Sequence, residues 1–270
     1  MSSPRIPEPF NVLKPVIGVI HLKPLPGSPG YNGVFEDVLA TALSELDIYM
    51  EAGVDGVIVE NYWDKPFVKR VEAVETIASY TVVVWEITRS SKIPVGLSLL
   101  RNSGVEAMAI ACTCGADFIR VNALAEPVWS PEGLLEPIAY HVHCMRRRLG
   151  CSVRVYADVN VKHSRPVLPL RDAVRENIER GLADALIVSG GHTGGETSVV
   201  DIAIVRRYSC KPVIIGSGVT RENLRRYWSL VDGFIVGTWF KRDGRIDNPV
   251  DKKRVEDFME LVYRLREKTL

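Results

Sequence analysis

Glutamine is absent from the 270-residue chain, although charged residues make up 25% of it. Plentiful charge with few thermolabile amides is a bias seen in thermophile proteins. Long apolar runs are also missing. None reaches the ~18 residues that a membrane span requires, which excludes an integral membrane segment. Charge of one sign does not dominate: Lys plus Arg number 34 and Asp plus Glu 33. Such a balance argues against a dedicated nucleic-acid surface. Met1-Ser2-Ser3-Pro4-Arg5 is polar and has no signal-peptide apolar core, so a cytoplasmic location is expected. Cysteine is sparse, at five residues, and forms no secreted framework. Cys112-Thr113-Cys114 has the wrong spacing for a zinc knuckle, and Cys144, Cys151 and Cys210 are scattered. They read as small buried hydrophobes, while a thermophile host would permit a cytosolic disulfide.

What the chain does contain is a repeated alternation. Short β-branched runs ending in polar or glycine residues alternate with amphipathic stretches. The strand runs are Pro15 to Ile20, Gly56 to Val59, Pro94 to Leu100, Asp117 to Val121, Val153 to Ala157, Ala185 to Val188, Val213 to Ile215 and Gly233 to Val236. Helices are expected over Phe35 to Ala52, Val71 to Ser90, Val105 to Cys114, Leu134 to Leu149, Leu170 to Arg180, Val199 to Tyr208 and Asp251 to Lys268. Thr220-Arg221-Glu222-Asn223 reads as a further helix start. Residues 1–14 form an irregular lead-in. The phrases Gly53-Val-Asp-Gly56, Gly115-Ala-Asp117, Gly181-Leu-Ala-Asp184 and Val231-Asp-Gly233 recur before strands 2, 4, 6 and 8. Each predicts a helix C-cap glycine and a tight turn into the next strand. Eight β-then-α units in one composition class point to a single-domain (β/α)₈ TIM barrel. A doubly wound open sheet is the competing architecture.

In such a barrel the chemistry gathers at the C-terminal strand ends. Those ends carry His21, Glu60 with Asn61, Arg101 with Asn102, Asn122, Asp158 with Lys162 and His163, and His192. Asp158 and Lys162 are the expected proton-transfer pair, since a carboxylate beside a lysine shifts either pKa towards neutrality. Glu60, placed beside His21, reads as a base or hydroxyl acceptor, and His21 as an acid/base group. Asn61, Asn102, Asn122, His163 and His192 are candidates for orienting a substrate. A rim salt bridge or an Asx turn is the structural role that competes at each of these positions. His21, His163 and His192 show no H-x-H or H-x-x-x-H spacing among themselves. His141-Val142-His143 lies on a predicted helix, where i and i+2 point apart. No metal ligands are assigned, and the cofactor stays open.

Two glycine-ended strands carry the remaining signal. Gly216-Ser217-Gly218 and Gly237-Thr238 end strands 7 and 8, where barrels commonly hold a phosphate on backbone N–H groups. Gly190 and Gly191 open the loop Gly190-Gly191-His192-Thr193-Gly194-Gly195. That loop can close over a ligand or add N–H donors.

Several phrases together resemble the BtpA family, named for a photosystem I biogenesis factor. They are Gly18-Val-Ile-His-Leu-Lys-Pro-Leu-Pro-Gly-Ser-Pro29, Val54-Asp-Gly-Val-Ile-Val-Glu-Asn61, Ala116-Asp-Phe-Ile-Arg-Val-Asn122 and Ala157-Asp-Val-Asn-Val-Lys-His163. Ala183-Asp-Ala-Leu-Ile-Val-Ser-Gly190, Gly216-Ser-Gly-Val219 and Asp232-Gly-Phe-Ile-Val-Gly237 complete the set. The chain departs from the family pattern at Tyr62-Trp63 and in the loop Ala125-Glu126-Pro127-Val128-Trp129, both flanking the expected mouth. The resemblance implies a barrel of the ribulose-phosphate-binding type. Two functional classes follow. One is an enzyme on a phosphorylated small molecule (an isomerase, lyase or hydrolase), and the other a non-catalytic assembly factor for a membrane complex such as photosystem I. A homo-oligomer is compatible with either.

Overall fold

A computed structural model describes residues 5–191 and 194–269. Eight parallel strands close into a barrel: β1 (Val16–His21), β2 (Gly56–Glu60), β3 (Val95–Ser98), β4 (Phe118–Val121), β5 (Arg154–Val159), β6 (Ala185–Val188), β7 (Val213–Ile215) and β8 (Gly233–Val236). Each pairs with its sequence neighbour, and β8 returns to β1, so the open-sheet alternative is overturned. The helices are α1 (Phe35–Glu51), α2 (Val74–Ser90), α3 (Gly104–Cys114), α4 (Ala139–Leu149), α5 (Leu170–Glu179), α6 (Val199–Tyr208), α7 (Leu224–Tyr227) and α8 (Lys252–Glu267).

The helices bury stripes at helical spacing. On α1, Val38, Ala42, Leu46 and Tyr49 face the strands. Tyr49 donates to the Val19 carbonyl at 3.0 Å. A Cβ at Gly18 would stand 2.9 Å from the Tyr49 ring, so only glycine admits it. The strand faces turned into the barrel form a separate core of Ile17, Val19, Ile58, Phe118, Tyr156, Ala185, Ile187, Ile214 and Ile235, joined by Phe10 from the lead-in. Phe118 and Tyr156 stack at 4.6 Å, and Phe10 meets Phe118 edge-on at 5.9 Å. The barrel centre is therefore packed, as in other small barrels.

The recurring aspartates have a common task. Asp55, Asp117, Asp184 and Asp232 each precede an even-numbered strand. Their carboxylates accept the N–H groups of Val16, Val95, Val155 and Val213 at 2.8–2.9 Å. Their own N–H groups donate back to the same four residues' carbonyls. Each aspartate thus closes the start of the preceding odd-numbered strand, where the ladder leaves a donor over. The accompanying glycines differ. Gly53 and Gly115 are left-handed at φ 75°, but Gly181 is not, and Leu182 takes φ 49° instead. Gly181 is small for another reason: a Cβ there would lie 2.6 Å from the Asn177 carbonyl oxygen.

Three further expectations are corrected. Residues 134–135 are not helical. Gly133–Leu135 pairs antiparallel with Val128–Ser130, which also pairs with Arg165–Pro166, and the helix starts only at Ala139, beyond Pro137. Pro137 lacks the N–H that an interior helix position requires. The element after Gly218 is a turn closed by Thr220 N–H on Asn223 Oδ1, at 2.8 Å, and α7 is only four residues long. Cys112 and Cys151 are joined in a disulfide with Cα atoms 5.6 Å apart, whereas Cys144 and Cys210 are exposed thiols. α3 and α4 pack side by side, so cysteines 39 residues apart meet through tertiary structure alone.

Asp117→Ala should leave the Val95 N–H without its charged acceptor. A destabilisation of about 1.5–3 kcal/mol is expected in urea unfolding, with Asp117→Asn losing clearly less. Equal losses for the two variants would show that the carboxylate oxygen is not the working acceptor.

Candidate functional site

Side chains alternate along a strand, so the residue two beyond each barrel-filling residue also points inward. That parity builds the upper layer from His21, Glu60, Ser98, Arg120, Asp158, Ser189, Gly216 and Gly237, one from each strand end. These groups interlock. Arg120 grips Asp158 with two bonds, Nε to Oδ2 at 2.9 Å and Nη2 to Oδ1 at 2.8 Å, and reaches Ser189 Oγ at 3.4 Å. Asn122 Nδ2 donates to Asp158 Oδ2 at 2.8 Å. Ser98 Oγ donates to Glu60 Oε2 at 2.9 Å, and Glu60 Oε1 lies 4.0 Å from His21 Nε2. All except Gly237 are buried.

Two cavities open above this layer. The inner one, about 130 Å³, is lined by His21, Glu60, Arg120 and Lys162 on one side and by the Gly216–Thr220 and Gly237–Trp239 turns on the other. The outer one, about 400 Å³, has walls of Tyr62, Phe67, Leu100 and Pro131, with Lys65, Arg101 and Glu132 at its edge. Glu60, Arg120 and Lys162 line both. The inner space exists because two strands end in glycine. A Cβ at Gly237 would stand 2.9 Å from His21 Cε1, and one at Gly216 would stand 2.4 Å from Ile187 Cγ2 and 3.3 Å from Arg120 Nη2.

Burial and surrounding positive charge set the protonation states. Burial, then Lys241, Lys162 and Lys65, depress the His21 imidazole well below its ordinary range and keep it neutral. Burial also lowers the Lys162 ammonium to about 8, with Glu60 opposing the shift and Arg120 reinforcing it. Glu126, fully buried beneath the loop after β4, is pushed up to about 7 by burial, even though its Oε1 accepts the Asn160 N–H at 3.1 Å.

The expected Asp158–Lys162 couple is not what forms. Among the described residues Asp158 pairs with Arg120 and Asn122, while no carboxylate lies within 4.0 Å of the Lys162 amine. Arg120 escaped sequence reading because it lies inside the β4 run rather than after it. Its signal was parity: it stands two residues beyond Phe118. Lys65 and Phe67 were missed because only the fold of their loop turns them to the mouth, whereas Tyr62, expected to flank it, does line the outer cavity.

Other expectations are redistributed. Asn61 is occupied by Asp64 and the Leu100 N–H, and Asn102 by main-chain groups of Ala123 and Glu136, so both brace loops and face neither of the two mouth cavities. Asn122 faces the outer cavity, and its Oδ1 is buried without a hydrogen-bond partner. His163 stands at the outer rim. His192 lies outside the described residues. Gly216 donates its N–H to Val188, and Gly190 donates its own to Ser217 Oγ, so neither N–H is open to an anion. Gly191 and Gly190 do not line the inner cavity, whereas Gly194 does. Among the described residues the N–H groups of Gly218, Val219, Gly237 and Thr238 make no hydrogen bond. No described cluster of three or more His, Cys, Asp or Glu side chains is arranged to hold a metal. No described helix is long and apolar enough to cross a membrane.

Fold and site define a TIM barrel with a polar, charge-lined mouth at its C-terminal strand ends. The chain belongs to the BtpA family, whose model matches residues 12–264. An uncharacterised protein of Thermococcus kodakarensis is 44% identical over 257 residues, covering 95% of this chain and 98% of its own. The photosystem I biogenesis protein BtpA of Synechocystis is 39% identical over 256 residues, covering 94% and 89%. Among solved structures, N-(5'-phosphoribosyl)anthranilate isomerase from Pyrococcus furiosus shares the fold with a TM-score of 0.57 at 17% identity, covering 93% of this chain and 99% of that one.

Glu126 provides a test of the electrostatics. Its folded-state pKa is raised from 4.5 to about 7, so the native state holds the extra proton in that interval. Stability should therefore fall as pH rises from about 4.5 to 7, by up to about 3 kcal/mol. Glu126→Gln keeps an acceptor for Asn160 and should flatten that slope in urea melts across the interval. An unchanged slope would place the titration elsewhere.

Proposed function

We propose that the protein is an enzyme that binds a small phosphorylated metabolite, such as a sugar phosphate or nucleotide-derived compound, and acts on it by acid/base chemistry. The observation that carries this reading is the inner cavity. Free N–H groups of Gly218, Val219, Gly237 and Thr238 border it, and Glu60, Arg120 and Lys162 lie directly beside it. Consecutive N–H groups in tight turns make a concave anion site. The phosphate would sit there, with Ser217 at its edge. Because α7 is only one turn long, a helix dipole contributes little, and the turns themselves supply the donors.

Glu60, held by Ser98 beside neutral His21, would take and return a proton next to the phosphate. Lys162, part neutral near pH 8, would be the second exchanging group. Asp158 would act through Arg120, fixing a permanent cation against the developing negative charge of the substrate. The outer cavity would hold the remainder of the molecule, with Asn122 and His163 at its border. The isomerase of Pyrococcus furiosus that shares the fold carries a phosphoribosyl substrate in its name, which agrees with this reading. A cytoplasmic location, the absence of nucleic-acid partners and a homo-oligomeric state belong to the same proposal.

The Synechocystis relative's name favours the other class, a factor assisting photosystem I biogenesis. A scaffold, however, has no use for a buried carboxylate and guanidinium converging with a lysine amine on one cavity, since burying charged groups is costly.

Inorganic phosphate should raise the melting temperature, with a stabilisation near 2.7 kcal/mol when phosphate is about a hundredfold above its Kd. Gly237→Val, which drives a side chain into the cavity against His21, should abolish the shift. Lys253→Ala on exposed α8 should keep it. Full stabilisation of the Gly237 variant by phosphate would remove the anion from these turns.

A further inference from the structure

We propose that Lys162 is a nucleophile that forms an imine with an aldehyde or ketone carbonyl of a phosphorylated substrate. The inference rests on the phosphorylated-metabolite reading and names both the reacting functional group and the atom that attacks it.

The first support is position. Lys162 lines the wall shared by the two cavities, between the free N–H groups of the glycine turns and the aromatic compartment of Tyr62 and Phe67. A small molecule with phosphate in the inner cavity and its body in the outer one must pass the lysine. The second support is the state of the amine. No hydrogen bond to its Nζ is formed by any described residue, and no described carboxylate comes within 4.0 Å. Its main chain, by contrast, is fixed, because Arg101 Nη2 donates to the Lys162 carbonyl at 3.2 Å. A structural lysine in a polar layer pairs, as Lys241 does with Glu45 at 2.5 Å in the same barrel. Lys162, half-buried at the cavity wall, is desolvated there without such a partner. The resulting descent to about 8 leaves a large share of the amine neutral at mildly alkaline pH. At that pH an unperturbed lysine has roughly a hundredfold less free amine.

The chemistry balances without an oxidant or a metal. The Nζ lone pair forms a bond to the carbonyl carbon, and the carbonyl π pair moves to oxygen. The nitrogen loses a proton to the Glu60 carboxylate, which passes it to the alkoxide oxygen, giving a carbinolamine. A proton taken up from solvent by Glu60 then goes to the hydroxyl, which leaves as water while the nitrogen lone pair forms the C=N bond. Amine, carbonyl and one proton have become protonated imine and water. In the protonated imine the adjacent C–H is acidified, and Glu60 or neutral His21 can accept that proton. This is the common entry to isomerisation and to carbon–carbon cleavage. Arg120, fixed by Asp158, stands at the same wall and disfavours protonation of the amine before attack.

The test traps the imine. The full chain is incubated near pH 8 with pyridoxal phosphate, glyceraldehyde phosphate or dihydroxyacetone phosphate, and reduced with cyanoborohydride. Intact mass and peptide mapping then locate the adduct. Lys162 should be modified about tenfold faster than exposed lysines such as Lys253, the lower basicity costing part of the gain in free amine. Excess inorganic phosphate should suppress the reaction, and Lys162→Arg should abolish it. Phosphate-induced thermal stabilisation, measured on the same samples, separates the two readings. Stabilisation by phosphate with no Lys162 adduct from any of the three carbonyls would overturn the imine and leave Lys162 as an anion clamp. Adducts spread equally over surface lysines would overturn it too. A Lys162 adduct in a protein that phosphate does not stabilise would keep the nucleophile and remove the phosphate seat.

Discussion

A closed parallel barrel turns every second residue of each strand inward, and this constraint governs both the stability and the chemistry of the protein. The strands that supply Val19, Ile58, Phe118, Tyr156, Ile187, Ile214 and Ile235 to a dry centre supply, two residues later, the layer above it, to which β3 adds Ser98. The layer cannot spread outward, because the alternate faces are covered by helices. Charged groups are therefore concentrated over an apolar plug, where water cannot screen them from below. At the other end of the barrel the four repeated aspartates close the odd-numbered strands at their starts, so strand ends above and below are fixed independently.

The Arg120–Asp158 pair is the mechanical centre of that layer. Removing one partner of such a buried pair costs on the order of 3–5 kcal/mol, chiefly because the other charge is stranded. The pair is bidentate and braced by Asn122, and with the Ser189 contact it fixes the ends of β4, β5 and β6 relative to one another. Its field reaches the neighbouring groups. Arg120 adds to the burial that depresses Lys162, and the cluster of lysines around His21 keeps the imidazole neutral. A layer of this kind holds a glutamate, a neutral imidazole and a guanidinium within one small space, with the Lys162 amine across the cavity beside them.

The opening on this layer is asymmetric. Strands 7 and 8 reach it with Gly216 and Gly237, where every other strand brings a side chain, so the inner cavity lies on their side. The antiparallel hairpin at residues 128–135 ties the loop after β4 to the loop that carries Lys162 and His163, and contributes Pro131 and Glu132 to the outer compartment. Family membership extends over nearly the whole chain, and Tyr62 stands in the mouth itself with Lys65 against its ring at 3.9 Å.

The sequence by itself determined the architecture. Eight β-branched runs and their intervening amphipathic stretches are local patterns, and their count leaves few ways to close a sheet. It also determined which strand ends carry Glu60, Asn122, Asp158 and the two glycine turns, since polar residues after apolar runs are visible without coordinates. Tertiary structure alone decided the partners. Arg120 rather than Lys162 took Asp158, Asn61 and Asn102 were consumed by loops, Cys112 found Cys151, and the stretch after Gly218 became a turn rather than a helix start. The physical reason is that periodicity is written along the chain, whereas a hydrogen bond or ion pair depends on distance across it. Which of several nearby charges is satisfied, and which amine is left over, is set only when the barrel closes and brings side chains from different strands to one layer.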